Sequence, residues 1–457
     1  MGFNAGKFNS LTNVQYNNVD TYGVDNPGDF STVFGSRVWN FKERLIYHPL
    51  ETLKLTARAG YYFRERNKPG DTQDRYRDFN GGLKANYTFN TLSNLEVGYT
   101  FDQYDKSDYQ VLYKNDVRDY SNVQHNVHAL YNYTFNEKHT LTVGADYLRD
   151  YLMSYQFTDN ANYIMHTADA FGQFDWNPTE RLNVIAGLRF DYFSDSNVRH
   201  LSPHLGMMYK IGNCSLRGSY SQGFRSPTLK EMYMVFNMAN MMMIYGNPDL
   251  KSETSHNFSL SAEYTKNRYN FSVTGYYNLV HNRINTVYSD DPKGQIYTNT
   301  DKVDIAGVDA NISAKYPCGL RFRMSYTYIH EFMRDGQKKF TDTRPHTATV
   351  RVDWGENLDK VDFNYSLNGR ILSEVKTNVY NDSFNNPAAG STAVTYPGYM
   401  IWDLTFSVGV FKGVNMNLAI NNLFNYVPDY YYFNSPTTTG ANLTLGLSLD
   451  IDRFFKK

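Results

Sequence analysis

Apolar and polar residues alternate with period two over long stretches of the chain. In Leu182–Phe193 (LNVIAGLRFDYF), Val184, Ala186, Leu188, Phe190 and Tyr192 fall on one face, and Asn183, Gly187, Arg189 and Asp191 on the other, with Ile185 the exception. From Leu320, Phe322, Met324, Tyr326 and Tyr328 oppose Arg321, Arg323, Ser325 and Thr327; from Asn442, Leu443, Leu445, Leu447, Leu449 and Ile451 oppose small and polar residues. Period two predicts strands with one apolar and one wet face. A soluble sandwich shows the same alternation, so length decides. These runs often reach a dozen residues, whereas soluble strands cluster near 5–6 and a membrane strand needs about 9–11. Tight connections are expected at His48-Pro49-Leu50-Glu51, Asn90–Asn94, Asn177–Glu180, Ile211-Gly212-Asn213 and Pro317-Cys318-Gly319, and longer ones at Asn67–Gln73, Ser107–Asn115 and Glu374–Thr395. Short turns at one rim and long loops at the other are the mark of a bacterial outer-membrane barrel. The pattern predicts an all-β, transmembrane antiparallel barrel of roughly nineteen strands from Arg37, or about twenty with a weaker candidate over Phe8–Val19. A propeller would need a repeat of about 40–50 residues, and none is visible.

Composition sharpens this picture. Of the 457 residues 16% are aromatic, with 40 Tyr and 30 Phe, yet the mean hydropathy is negative; aromatic girdles around a polar lumen reconcile the two. No run approaches the roughly 18 uncharged apolar residues of a spanning helix. With 45 basic against 46 acidic residues the net charge is -1, which gives no basic surface for nucleic acid. Two cysteines, Cys214 and Cys318, form neither a disulfide scaffold nor a Cys-x-x-Cys pair, and three to four strands at about 4.8 Å each should keep them apart. The first twenty residues lack a basic segment followed by an apolar one, so no secretory signal is read there.

Four motifs carry a resemblance to the C-terminal barrel of TonB-dependent outer-membrane receptors: Gly223-Phe224-Arg225-Ser226-Pro227, Asn247-Pro248-Asp249-Leu250 with Glu253 after it, Tyr297-Thr298-Asn299 followed by Gly307-Val308-Asp309, and Asn421-Asn422-Leu423-Phe424. The resemblance implies a 22-stranded barrel around a separate plug that follows a TonB box. It implies nine strands after the Phe-Arg-x-Pro, and nine are counted from His256 onward. On that count the chain spans residues 1–457 of barrel starting near the family's second or third strand, with signal, plug and first strands lying upstream. Residues 224–253 become a long extracellular loop.

That loop is strange for so polar a chain, holding Met232, Met234, Met238, Met241, Met242 and Met243. In the haem-receptor branch of the family the same two boxes flank a loop histidine that ligates iron. No histidine stands between them here, and a thioether is the soft substitute, as an axial ligand or as apolar cover for a porphyrin. The boxes also occur in siderophore receptors; a methionine patch packed on itself or on a surface lipoprotein stays the first reading of the loop, with haem contact next and a soft metal ion after it. The expected ligand-binding residues are Phe224, Arg225, Met238, Met241, Met242, Met243 and Tyr245, on the rim opposite His48-Pro49, Asn177-Pro178 and Cys318. The resemblance implies uptake of an iron chelate, haem first and a siderophore or cobalamin behind it, with TonB engaged through the plug and outer-membrane lipid around the barrel. A passive porin-like channel and an inert truncated product are the rivals. No resident cofactor is expected. No catalytic motif distinguishes any Ser, His or Asp of the rim, so an enzyme is not expected either. His125 and His128 point to opposite faces of a strand, and His200 and His204 lie about 13 Å apart along one, so neither pair should share a metal.

Overall fold

The computed structural model describes residues 2–23, 32–194, 196–238, 242–300, 302–332, 343–358, 361–381, 389–411, 413–428 and 440–450. Among them 21 strands form one antiparallel meander, each strand hydrogen-bonded to the next in chain order, from Gly2–Ala5 to Asn442–Leu449. The candidate strand Phe8–Val19 is present over those residues, paired with Gly2–Ala5 on one side and Ser36–Leu50 on the other. Twelve strands end with Cys214–Arg225, and nine follow from Glu253–Lys266, the number the Phe-Arg-x-Pro motif implies.

The outward face is apolar because the alternation is kept in register from strand to strand. Leu188, Phe190, Leu201, Leu205, Leu216, Phe258 and Leu260 are all exposed on it. Polar partners meet on the inward face: Arg189 bridges Asp169 at 3.0 Å and Asp191 at 2.9 Å, Arg323 bridges Asp353 at 2.8 Å, and Thr327 donates to Asp309 at 2.7 Å. Carboxylates interrupt the outward pattern, Glu43 among them. Glu43 lies in the row of Phe8, Leu45 and Tyr47, and the hydroxyls of Ser10 and Thr12 donate to it at 2.7 and 2.5 Å.

Connections alternate strictly between rims. The short-turn rim carries residues 51–52, 91–92, 136–138, 177–181, 212–213 and 316–319; the other carries 155–161, 226–252, 282–302 and 373–398. The methionine loop therefore lies opposite Pro178 and Cys318, as parity requires. Cys214 and Cys318 are both free thiols on the short-turn rim, three strand steps or roughly 14 Å apart.

Two expected long connections are corrected. The ladder runs through Lys68↔Thr72 and Gln110↔Asn115, leaving only three- and four-residue turns at 69–71 and 111–114. Here the strands reach 19, 18 and 21 residues and rise beyond the apolar band. Both faces are then wet, so hydropathy alternation fades while backbone pairing continues. Residues 374–395 likewise carry a hairpin, Val375–Tyr380 with Ser391–Tyr396. At the other rim, the strand expected to turn at His48-Pro49 continues to Leu50, with an irregularity between Tyr47 and Leu50 that takes up the proline's missing N–H.

Short turns at one rim and long loops at the other predict that the short-turn rim faces the periplasm. In a Cys214→Ser background, a membrane-impermeant maleimide should leave Cys318 unlabelled in intact cells and modify it once the outer membrane is permeabilised. A cysteine placed at Asp290, on the long-loop rim, should react in both. Labelling of Cys318 in intact cells would invert the rims.

Candidate functional site

The segment from Gly223 to Leu250 is neither a long helix nor a featureless loop. Arg225 ends its strand, and Pro227 ends the ladder because it lacks an N–H. Thr228 then opens a one-turn helix, Leu229–Tyr233, in a reciprocal cap: Glu231 N–H donates to the Thr228 hydroxyl at 3.3 Å, and Thr228 N–H donates to the Glu231 carboxylate at 2.9 Å. A hairpin of Val235–Met238 and Met242–Tyr245 follows, and Asn247 closes the segment by donating its N–H to Glu231 O at 2.9 Å. Gly246 is required there, since a Cβ would stand 2.6 Å from the backbone of Met232 and Met234.

Arg225 holds these pieces to the barrel. Its Nη1 donates to both Glu231 oxygens at 2.8 Å, while Nε and Nη2 donate to Glu253 at 3.1 and 3.0 Å. Glu253 also accepts from Ile284 N–H at 2.6 Å, which ties in the next loop. Asn299 completes the tie: it accepts from Lys251 N–H and donates to Lys251 O and Asn282 O. Lys293–Thr300 lies parallel to Met242–Tyr245 through Ile244↔Gln295 and Tyr245↔Ile296, and it pairs with Arg283–Asp290, so two loops share one four-stranded sheet above the barrel.

The six methionines divide. Met232 is 2% exposed and packs with Leu152, Phe157 and Leu229 into a small core under the loop, and Met234 is buried at 6%. Val235 N–H donates to Gln156 O, and Tyr163 stacks on Tyr233 at 4.0 Å, so the 155–161 loop is the floor of that core. Met238 and Met242 face each other across the hairpin end, with Met243 opposite Asn237; all three are half-buried. Met241 lies outside the described residues. Phe224 stacks on His200 at 4.3 Å and meets Phe193 edge-on at 5.7 Å. Met238, Met242, Met243 and Tyr245 thus share one hairpin, with Phe224 and Arg225 at its base. Glu253 and Asn299 were legible only as motif residues, without a role, and Glu231 went unread although it stands three residues after Thr228, a readable capping signal. His125 and His128 do face apart: the first is 2.9 Å from the Tyr99 hydroxyl on the outward face, and the second 3.3 Å from Glu96 inside.

The family description "TonB dependent receptor-like, beta-barrel" matches residues 2–423. The chain belongs to the TonB-dependent receptor family. Its place is the cell outer membrane. It is 24% identical over 297 residues to the "Iron-regulated outer membrane virulence protein" of Vibrio cholerae serotype O1, covering 60% of this chain and 43% of that protein. It is 22% identical over 335 residues to the "Heme/hemopexin utilization protein C" of Haemophilus influenzae, covering 62% and 44%. The chain thus spans less than half the length of these curated relatives. Among solved structures, the siderophore receptor PirA from Acinetobacter baumannii superposes with a TM-score of 0.76 at 16% identity, over 97% of this chain and 75% of that one.

Acid should open the loop anchor of this TonB-dependent receptor before it opens the barrel. Burial alone would raise the Glu253 carboxyl, but hydrogen bonds from Arg225 and Ile284 N–H outweigh it and hold the group below its ordinary value of 4.5. A lowered folded-state value means the stabilisation is complete above 4.5 and is lost as pH falls through the lower value. Protease cleavage within 226–252 should rise on acidification below about pH 4, and Arg225→Met should show the same rise at neutral pH. Cleavage that is pH-independent in the parent would contradict the clamp.

Proposed function

We propose that this chain is the barrel of an outer-membrane receptor that imports an iron chelate with energy delivered through TonB, and that haem is its preferred ligand. Family membership over residues 2–423 is the observation that carries transport. The iron chelate is supported by the relatives, which include a heme/hemopexin utilization protein, a hemoglobin-haptoglobin utilization protein and siderophore receptors. The methionine hairpin supports haem over a siderophore. The long-loop rim faces outward, and Met238, Met242 and Met243 close one end of a sheet that the Arg225 clamp fastens above the lumen. Half-buried thioethers offer soft sulfur to iron and flat apolar cover to a porphyrin, at about 25 cal/mol per Å² buried. Met232 and Met234 are packing residues and take no part in this role.

A ferric siderophore needs hydrogen-bonding and cationic groups rather than thioethers, so one experiment separates the two. In the full receptor, Met238→Ser, Met242→Ser and Met243→Ser together should weaken haem binding at least tenfold, about 1.4 kcal/mol, while heat-modifiable folding of the barrel is kept. Haem affinity that does not change would move the proposal to the siderophore reading.

A further inference from the structure

Five hairpins carry the same cross-strand contact on the outward face. Tyr99 lies 2.9 Å from His125 Nδ1, Tyr147 2.7 Å from His166 Nδ1, Tyr220 3.0 Å from His256 Nδ1 and Tyr326 2.7 Å from His346 Nδ1; Tyr277 donates to Asp304 at 2.8 Å. In each case the tyrosine is on a strand rising to the long-loop rim. Its partner on the descending strand stands two residues before the residue directly opposite: Val127, Ala168, Phe258, Ala348 and Ala306 are the opposed residues. All four histidine rings are stacked on their tyrosines, at 17–28°.

The height of this ring follows from the sequence. Running down each histidine's strand on the same face, the exposed aromatic nearest the short-turn rim is Phe135, Trp176, Tyr264 or Trp354, ten, ten, eight and eight residues away. At roughly 3.4 Å per residue and a tilt of about 45°, that separates the two levels by about 19–24 Å, the height of a bilayer's apolar band. The lower aromatics form the inner girdle. The tyrosine–histidine pairs stand where outer-leaflet headgroups begin.

A tyrosine that donates its one hydroxyl proton to Nδ1 fixes the imidazole tautomer, with the proton on Nε2. Among the described residues no protein group accepts from Nε2 of His125, His166, His256 or His346. In the tautomer set by a donating tyrosine, these are four outward N–H donors at one height, each braced by a ring, and they suit an anion rather than an acyl chain or a neutral hydroxyl. We propose that this belt binds the phosphate of outer-leaflet lipid headgroups and so sets the depth at which the barrel sits.

The test uses the receptor extracted from outer membranes and returned to bilayer nanodiscs of phosphatidylcholine alone or with phosphatidylglycerol. Phosphatidylglycerol should raise the unfolding temperature of the parent above its value in phosphatidylcholine. The variant His125→Phe, His166→Phe, His256→Phe, His346→Phe keeps the stacked rings but not the donors, and it should lose at least half of that increment while melting as the parent does in phosphatidylcholine. A variant that keeps the full increment would overturn the proposal. So would equal destabilisation in both bilayers, which would make the pairs cross-strand struts only, or an increment that inorganic phosphate reproduces in phosphatidylcholine. If the fourfold variant fails to fold, the pair His166→Phe, His256→Phe should lose about a quarter to a half of the increment.

Discussion

Inside hydrocarbon, each unpaired backbone N–H or C=O costs several kcal/mol, and everything else in this barrel is subordinate to that constraint. It explains why the chain is a meander of neighbouring strands, in which twenty consecutive antiparallel ladders leave each inner strand paired on both sides. It also explains why the strands outrun the apolar band at 72–135: once started, a ladder continues into water until a turn residue such as Gly70 can reverse it. The same constraint locates the weak place. Among the described residues, no ladder joins Asn442–Leu449 to Gly2–Ala5 or to Phe8–Val19. Every residue of Asn442–Leu449 is exposed accordingly, as is most of the upper half of Phe8–Val19.

The long-loop rim obeys a different economy. Its loops carry backbone that water could solvate, yet 226–252, 155–161 and 282–302 are tied into one body by Arg225, Glu231, Glu253 and Asn299 and by a core around Met232. Charge-assisted, two-pronged hydrogen bonds hold geometry better than a single contact, which suits the hairpin's proposed role in binding haem. Arg225 is therefore a positioning residue at the base of that hairpin, with both carboxylate partners on the protein.

Much of the barrel was legible in the sequence because a membrane strand writes its environment into every second residue. Leu182–Phe193 and Leu320–Phe332 show their two faces directly, and turn parity then placed the methionine loop on the correct rim. Legibility failed wherever both faces see the same medium. Residues 67–73 and 107–115 looked like loops because wet strands lose alternation, and Phe8–Val19 looked weak because Ser10, Thr12 and Glu43 interrupt its outward row. In the loop, the capping box could be read but the split of the methionines could not: whether Met232 is core or Met238 is hairpin depends on the 155–161 loop, some seventy residues earlier in the chain. The tyrosine–histidine belt is invisible for a similar reason, since its partners are joined by register and not by spacing.

The central claim is that backbone pairing, two-sided for the inner strands and, among the described residues, one-sided at the two marginal ones, governs this structure. Amide hydrogen exchange of the chain in detergent micelles measures it strand by strand. Exchange should be slowest in the strands between Leu53 and Arg225, and faster by at least two orders of magnitude along Thr12–Val19 and Asn442–Leu449, where one side of the ladder is open. Margins as protected as the interior would show the two edges joined to each other, and would contradict the account.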